Sequence, residues 1–197
     1  MTSQREREDA IYSVERQFAA GSRDVLFAGH PTGFGVHRTI AAMVARRAGL
    51  GQRCLVLHPV PRLRIEDLKR CEPGLDVGKL GSGAAVEVAS YIEVQRRQAD
   101  VAPGGSRPSY DLLVMEEGAA DKPDRVMAAR KAYADVPALT ASLTPPMRNL
   151  GTFDAASLGL PEAMAAALDG VVTVKRKDFC AGGGMADAGS RAFSWKR

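Results

Sequence analysis

Four short stretches of the chain carry the side chains capable of chemistry. Gly29-His30-Pro31-Thr32-Gly33-Phe34-Gly35-Val36-His37-Arg38-Thr39 packs three glycines together with hydroxyl, imidazole and guanidinium groups. Glycines at that density let backbone N–H groups close around an anion, so the segment suits a phosphate. Leu57-His58-Pro59-Val60-Pro61-Arg62-Leu63-Arg64 is a basic turn, and Met115-Glu116-Glu117 sets two carboxylates at the end of an apolar run, where they suit a divalent cation or a water. The fourth stretch, Ala138-Leu139-Thr140-Ala141-Ser142-Leu143-Thr144-Pro145-Pro146, is rich in hydroxyls. His30 and His37 beside Glu116 and Glu117 raise the thought of a metal, yet their spacing demands none, and Ser142 has no His and acid partners at recognisable positions for a hydrolase triad.

Each stretch follows a short apolar run that reads as a buried strand. The runs are 25–28, 54–57, 112–115 and 136–141, with further strands expected at 77–80, 86–89 and 171–174. Between them the pattern predicts helices over 4–20, 39–48, 64–70, 91–98, 124–134 and 161–168, the last with Pro161 in its first turn. Strands alternating with helices give a three-layer α/β fold with a parallel sheet. In such a sheet ligands bind where the strands end and the chain turns toward the helices, which is where the four stretches fall.

The chain has 197 residues, 25% charged and 45% hydrophobic, a length that suits one domain with some tail. The net charge of +4 is concentrated: residues 171–197 hold six Lys and Arg against two Asp, leaving the first 170 neutral. We therefore expect a lobe over 1–176 and a flexible basic tail over 177–197, its Phe179, Phe193 and Trp195 interleaved with cations as in single-strand binders. Cys54, Cys71 and Cys180 have no metal or disulfide spacing. No signal-peptide core or membrane-length apolar run is present, so a cytoplasmic protein without membrane contact is expected.

Taken in order, the four stretches resemble the first RecA-like lobe of a superfamily-two helicase, particularly the DExH-type viral RNA helicases. Those carry P-T-G-x-G-K-T, then L-x-x-P-T-R-x-L, then D-E-x-H, then T-A-T-P-P or S-A-T. The resemblance covers roughly residues 4–146. It implies a P-loop NTPase fold, nucleotide contacts at Thr32, Gly33, Gly35, His37, Arg38 and Thr39, and ATP with Mg²⁺ as cofactors. It further implies catalytic acids at Glu116 and Glu117, nucleic-acid contacts at Arg62 and Arg64, and a coupling motif at Thr140, Ser142 and Thr144. The basic run Lys175, Arg176 and Lys177 adds a second nucleic-acid candidate.

The departures from that pattern are specific. In direct register Val36 stands where the phosphate-gripping lysine belongs and His37 where the magnesium-binding hydroxyl belongs. A two-residue shift offers Arg38 and Thr39 instead. Glu116 and Glu117 replace the Asp and Glu, Ala119 replaces the His, and the fourth motif carries an extra residue. The residues after it are too few for a second lobe, so autonomous unwinding is not expected. Two classes remain: a catalytically degenerate lobe that binds RNA, another single strand or a protein partner, and an atypical ATP hydrolase using Arg38 and Thr39.

Overall fold

The computed structural model describes residues 4–29, 36–100, 108–116, 122–143 and 170–173. Helix α1 (Gln4–Ala19) leads into strand β1 (Asp24–Gly29), followed by α2 (Val36–Gly49), β2 (Cys54–Leu57), α3 (Pro61–Cys71), β3 (Val77–Lys79) and β4 (Val86–Ala89). Helix α4 (Tyr91–Asp100), β5 (Leu112–Glu116), α5 (Pro123–Ala132), β6 (Ala138–Leu143) and β7 (Gly170–Thr173) complete the order. The strands form a seven-stranded sheet, β3-β4-β2-β5-β6-β1-β7, in which every pair is parallel. All carboxyl ends therefore open on one edge. No helix among the described residues is long and apolar enough to cross a membrane.

Side-chain alternation divides the core into two layers. Cys54, Val56, Leu112, Val114, Leu139 and Ala141 face α1, α2 and α3, whereas Leu55, Leu57, Leu113, Met115 and Ala138 face α4 and α5. With helices on both faces, strands β2, β4 and β5 are buried at every position, which is why they read as apolar runs interrupted only by Glu87 in β4 and Glu116 at the end of β5. The fold is the expected three-layer α/β fold with a parallel sheet.

Two guanidinium clamps join elements distant in sequence. Arg47 of α2 donates from Nε and Nη2 to the two carboxylate oxygens of Glu15 at 2.9 and 2.6 Å, and lies over the Phe18 ring, tying α1 to α2. Arg130 grips Asp24 through both oxygens at 2.6 and 2.8 Å, tying α5 to the start of β1. The forked geometry makes each contact directional as well as ionic.

The connection from β3 to its parallel neighbour β4 is short and is pinned from within. Glu87, wholly buried in β4, accepts the backbone N–H groups of Gly81 at 2.9 Å and Gly83 at 2.7 Å, and the Tyr110 hydroxyl at 2.5 Å. Both glycines have positive φ, a conformation that a side chain would strain. Burial by itself raises a carboxyl's pKa, but the Gly81, Tyr110 and Gly83 hydrogen bonds and the Arg53 charge outweigh it and hold Glu87 below the ordinary value. Glu87 sits near the start of its strand, opposite the carboxyl edge, so this cluster is scaffold.

Several boundaries differ from the sequence reading, and two bear on function. Helix α2 begins at Val36 rather than Thr39, so His37 and Arg38 occupy a first helical turn. Helix α3 begins at Pro61 rather than Arg64, since the fixed φ and missing N–H of proline suit the first helical position, so Arg62 is a helical rather than a loop residue. Strand β6 runs on to Leu143, pairing Ser142 with Ala28 and Leu143 with Gly29, where a loop was expected. The helix expected over 161–168 and the tail over 177–197 lie outside the described residues.

Candidate functional site

The strand order brings the ends of β1, β6 and β5 side by side, with β6 separating the glycine-rich segment from the acidic one. Glu116 is the last residue of β5 and pairs with Ala141 of β6. It shares a face with Leu112 and Val114 by alternation, so its carboxylate enters the layer of α2 and α3.

There it meets Arg64, only 2% exposed. Arg64 Nε donates to Glu116 Oε2 at 2.5 Å, Nη1 to Asp67 Oδ2 at 3.2 Å and Nη2 to the His37 carbonyl at 3.3 Å. Glu116 is 1% exposed, and its other oxygen, Oε1, lies 3.4 Å from His37 Nδ1, within ion-pair range but without a hydrogen bond. Its main-chain carbonyl accepts the Tyr91 hydroxyl at 2.9 Å, which anchors the end of β5 to the head of α4. Helices α2 and α3 thus converge on one buried carboxylate, while α4 holds the main chain of the same residue.

This placement corrects the reading of Arg64 as a contact to nucleic acid. Its guanidinium points inward and is engaged by Glu116, Asp67 and a carbonyl, so it presents no charge to a strand outside. A signal for this was in the sequence: Arg64 and Leu68 are four residues apart, and both belong to the buried stripe of α3. Arg62 is different. Its side chain is 88% exposed, paired only loosely with Glu66 at 3.3 Å on the same helix. Arg38, on the first turn of α2, is also exposed.

The remaining candidates separate. Val36 is buried in the core layer, and Thr39, 3% exposed, lines a small gap with Ile11, Val14, Phe27, Ile40, Met43 and Leu139. Thr39 therefore faces the α1–α2 core instead of the mouth of the helix. Thr140 is buried in β6 on the face of Ala138, away from Glu116. Ser142 is placed by backbone pairing alone, and Thr32, Gly33, Gly35, Glu117, Thr144, Lys175, Arg176 and Lys177 lie outside the described residues.

The residues at β5 do not fit a free divalent cation. Magnesium takes unencumbered oxygen ligands in octahedral array. Here one oxygen of Glu116 is already held by a guanidinium at 2.5 Å, with the positive charge beside it. No group of three metal-ligating side chains occurs among the described residues.

No protein-family model matches the chain, and no curated protein matches it in sequence. Among solved structures, a nuclease-deletion mutant of the Type ISP restriction-modification enzyme LlaGI, in complex with a DNA substrate mimic, is similar with a TM-score of 0.52 at 13% identity. The match covers 81% of this chain and 17% of that one, so this chain spans a small part of the enzyme's length. At that identity the likeness establishes the shared α/β fold.

Proposed function

We propose that this chain is a helicase-like lobe of the DExH type, without ATPase activity of its own, that binds single-stranded nucleic acid, RNA in the first instance, across the carboxyl edge of its sheet. The observation that carries the reading is the exposure of Arg38 and Arg62 on the first turns of α2 and α3, two helices whose amino ends open on that edge. Helix amino ends and flanking guanidinium groups together attract phosphate. The fold likeness to an enzyme solved on a DNA substrate mimic supports the same direction, and the basic run Lys175, Arg176 and Lys177 would add to it.

The non-catalytic half of the proposal has three supports in the residues. Val36 occupies the lysine position and is core, Thr39 faces the core, and Glu116 is bound to Arg64. A working phosphate site needs the lysine, the hydroxyl and the acid at once.

The test is fluorescence anisotropy with labelled single-stranded RNA and DNA over a salt series, beside calorimetric titration of ATP and Mg²⁺. RNA binding that weakens with salt, with no ATP turnover, supports the reading. Mg²⁺-dependent turnover abolished by Glu117→Gln would install the atypical ATPase in its place. Binding to neither nucleic acid would leave a protein partner as the reading to pursue.

A further inference from the structure

We infer that Arg64 is a tethered cation filling a cation site of this lobe, so that Glu116 is served from within the chain and the protein works without a divalent metal. The inference is independent of whether nucleic acid binds the outer edge. It rests on what surrounds the guanidinium: a carboxylate oxygen of Glu116 at 2.5 Å, a carboxylate oxygen of Asp67 at 3.2 Å and the His37 carbonyl at 3.3 Å, all acceptors, presented by β5, α3 and α2. Acceptors gathered from three elements define a place for positive charge, and the arginine is 2% exposed within it.

The argument is one of charge and desolvation. A carboxylate as buried as Glu116 is costly unless a cation accompanies it. A metal ion would have to enter from solvent and shed water, whereas Arg64 arrives with the folding of α3, on the buried stripe it shares with Leu68. Each of the three guanidinium nitrogens of Arg64 donates a hydrogen bond, whereas on the Glu116 side Oε1 accepts none. That oxygen lies 3.4 Å from His37 Nδ1, and both atoms are withdrawn from solvent. Removing the arginine side chain should therefore leave an anionic hollow, lined by the Glu116 and Asp67 carboxylates, able to accept a small cation.

The experiment uses the full chain and Mn²⁺ as probe, read by the loss of the free-ion electron paramagnetic resonance signal and by thermal unfolding. Wild type should leave the signal unchanged, and chelator should leave its unfolding midpoint unchanged. Arg64→Ala should take up about one Mn²⁺ per chain and gain about 5 °C or more at a hundredfold excess over the dissociation constant. Arg64→Ala combined with Glu116→Gln should lose both responses. Should Arg64→Ala prove unfolded, recovery of cooperative unfolding on adding Mn²⁺ or low-millimolar guanidinium supports the inference, and no recovery overturns it. A wild type that binds one Mn²⁺ and loses it on Glu116→Gln overturns it as well, as does a folded Arg64→Ala that responds to neither cation.

Discussion

Arg64 Nε and Glu116 Oε2 are 2.5 Å apart, between residues separated by 52 positions in sequence and almost fully withdrawn from solvent. The contact joins the first turns of α3 to the last residue of β5. Removing one partner strands a buried charge, so Arg64→Met or Glu116→Gln alone should cost about 3–5 kcal/mol. The double variant removes both charges and should cost clearly less than the two single losses combined. Urea unfolding of the four proteins measures the coupling, and simple additivity would show that the pair does not interact.

The nucleic-acid surface is expected to depend on Arg38 and Arg62 as charges. Each phosphate contact on a single strand adds about 0.7 to the slope of log affinity against log salt, so Arg38→Ala with Arg62→Ala should flatten that slope by about 1.4. Glu116→Gln should leave it unaltered in any preparation that remains folded. An unchanged slope in the double arginine variant would move the binding surface elsewhere.

Acid stability should carry the signature of Glu87. Its folded-state pKa is lowered, so its contribution is fully present above the unfolded value of about 4.5 and is lost as pH falls through the lowered folded value. Glu87→Gln should cost roughly 2–3 kcal/mol at neutral pH, because it places an amide against the Gly81 and Gly83 donors, and should flatten the decline below about pH 4.5. Denaturant titrations from pH 7 to pH 3 would show it, and parallel pH profiles for the two proteins would refute the assignment.

Tyr110 supplies the matching prediction at alkaline pH. Burial first, then the hydrogen bond and negative charge of Glu87, push its phenol above the usual range, so its contribution is present below the unfolded value of about 10 and falls as pH rises beyond it. Ultraviolet titration of the folded protein should show Tyr110 still protonated after the exposed Tyr12 has ionised, and Tyr110→Phe should remove one tyrosine's amplitude from the late step.

Thiol chemistry gives an inexpensive check on the core. Burial raises the Cys54 thiol to about 12, whereas Cys71 is only partly covered. Under native conditions at pH 8, Cys54 should resist a disulfide reagent until denaturant is added, and Cys71 should react first. Rapid modification of Cys54 in the folded chain would contradict its place in β2.

Much of the scaffold was legible because it depends on local pattern. Strands β2 and β4 have the bounds the sequence predicted, since a short strand buried on both faces is largely apolar, Glu87 being the one buried acid, and ends where polar residues begin. The order of motif-bearing segments fixed the α/β class, because alternating strands and helices leave few ways to cover both faces of a sheet. Local pattern also placed Glu116 at the end of a strand, and alternation with Leu112 and Val114 put it on a definite face.

What occupies that face with it was a tertiary decision. The sequence set Arg64 beside Arg62 after the second strand, and although the spacing to Leu68 put Arg64 on the stripe of α3 that is buried, nothing local named the acid it would meet. Starting α3 at Pro61 swung one guanidinium out to solvent and turned the other under the sheet edge, a separation of about 200° around the helix axis for two residues only two apart. Packing of α3 against β5 then decided which arginine met the acid. Side-chain type can be read along a chain; the company a buried charge keeps depends on which elements come together around it.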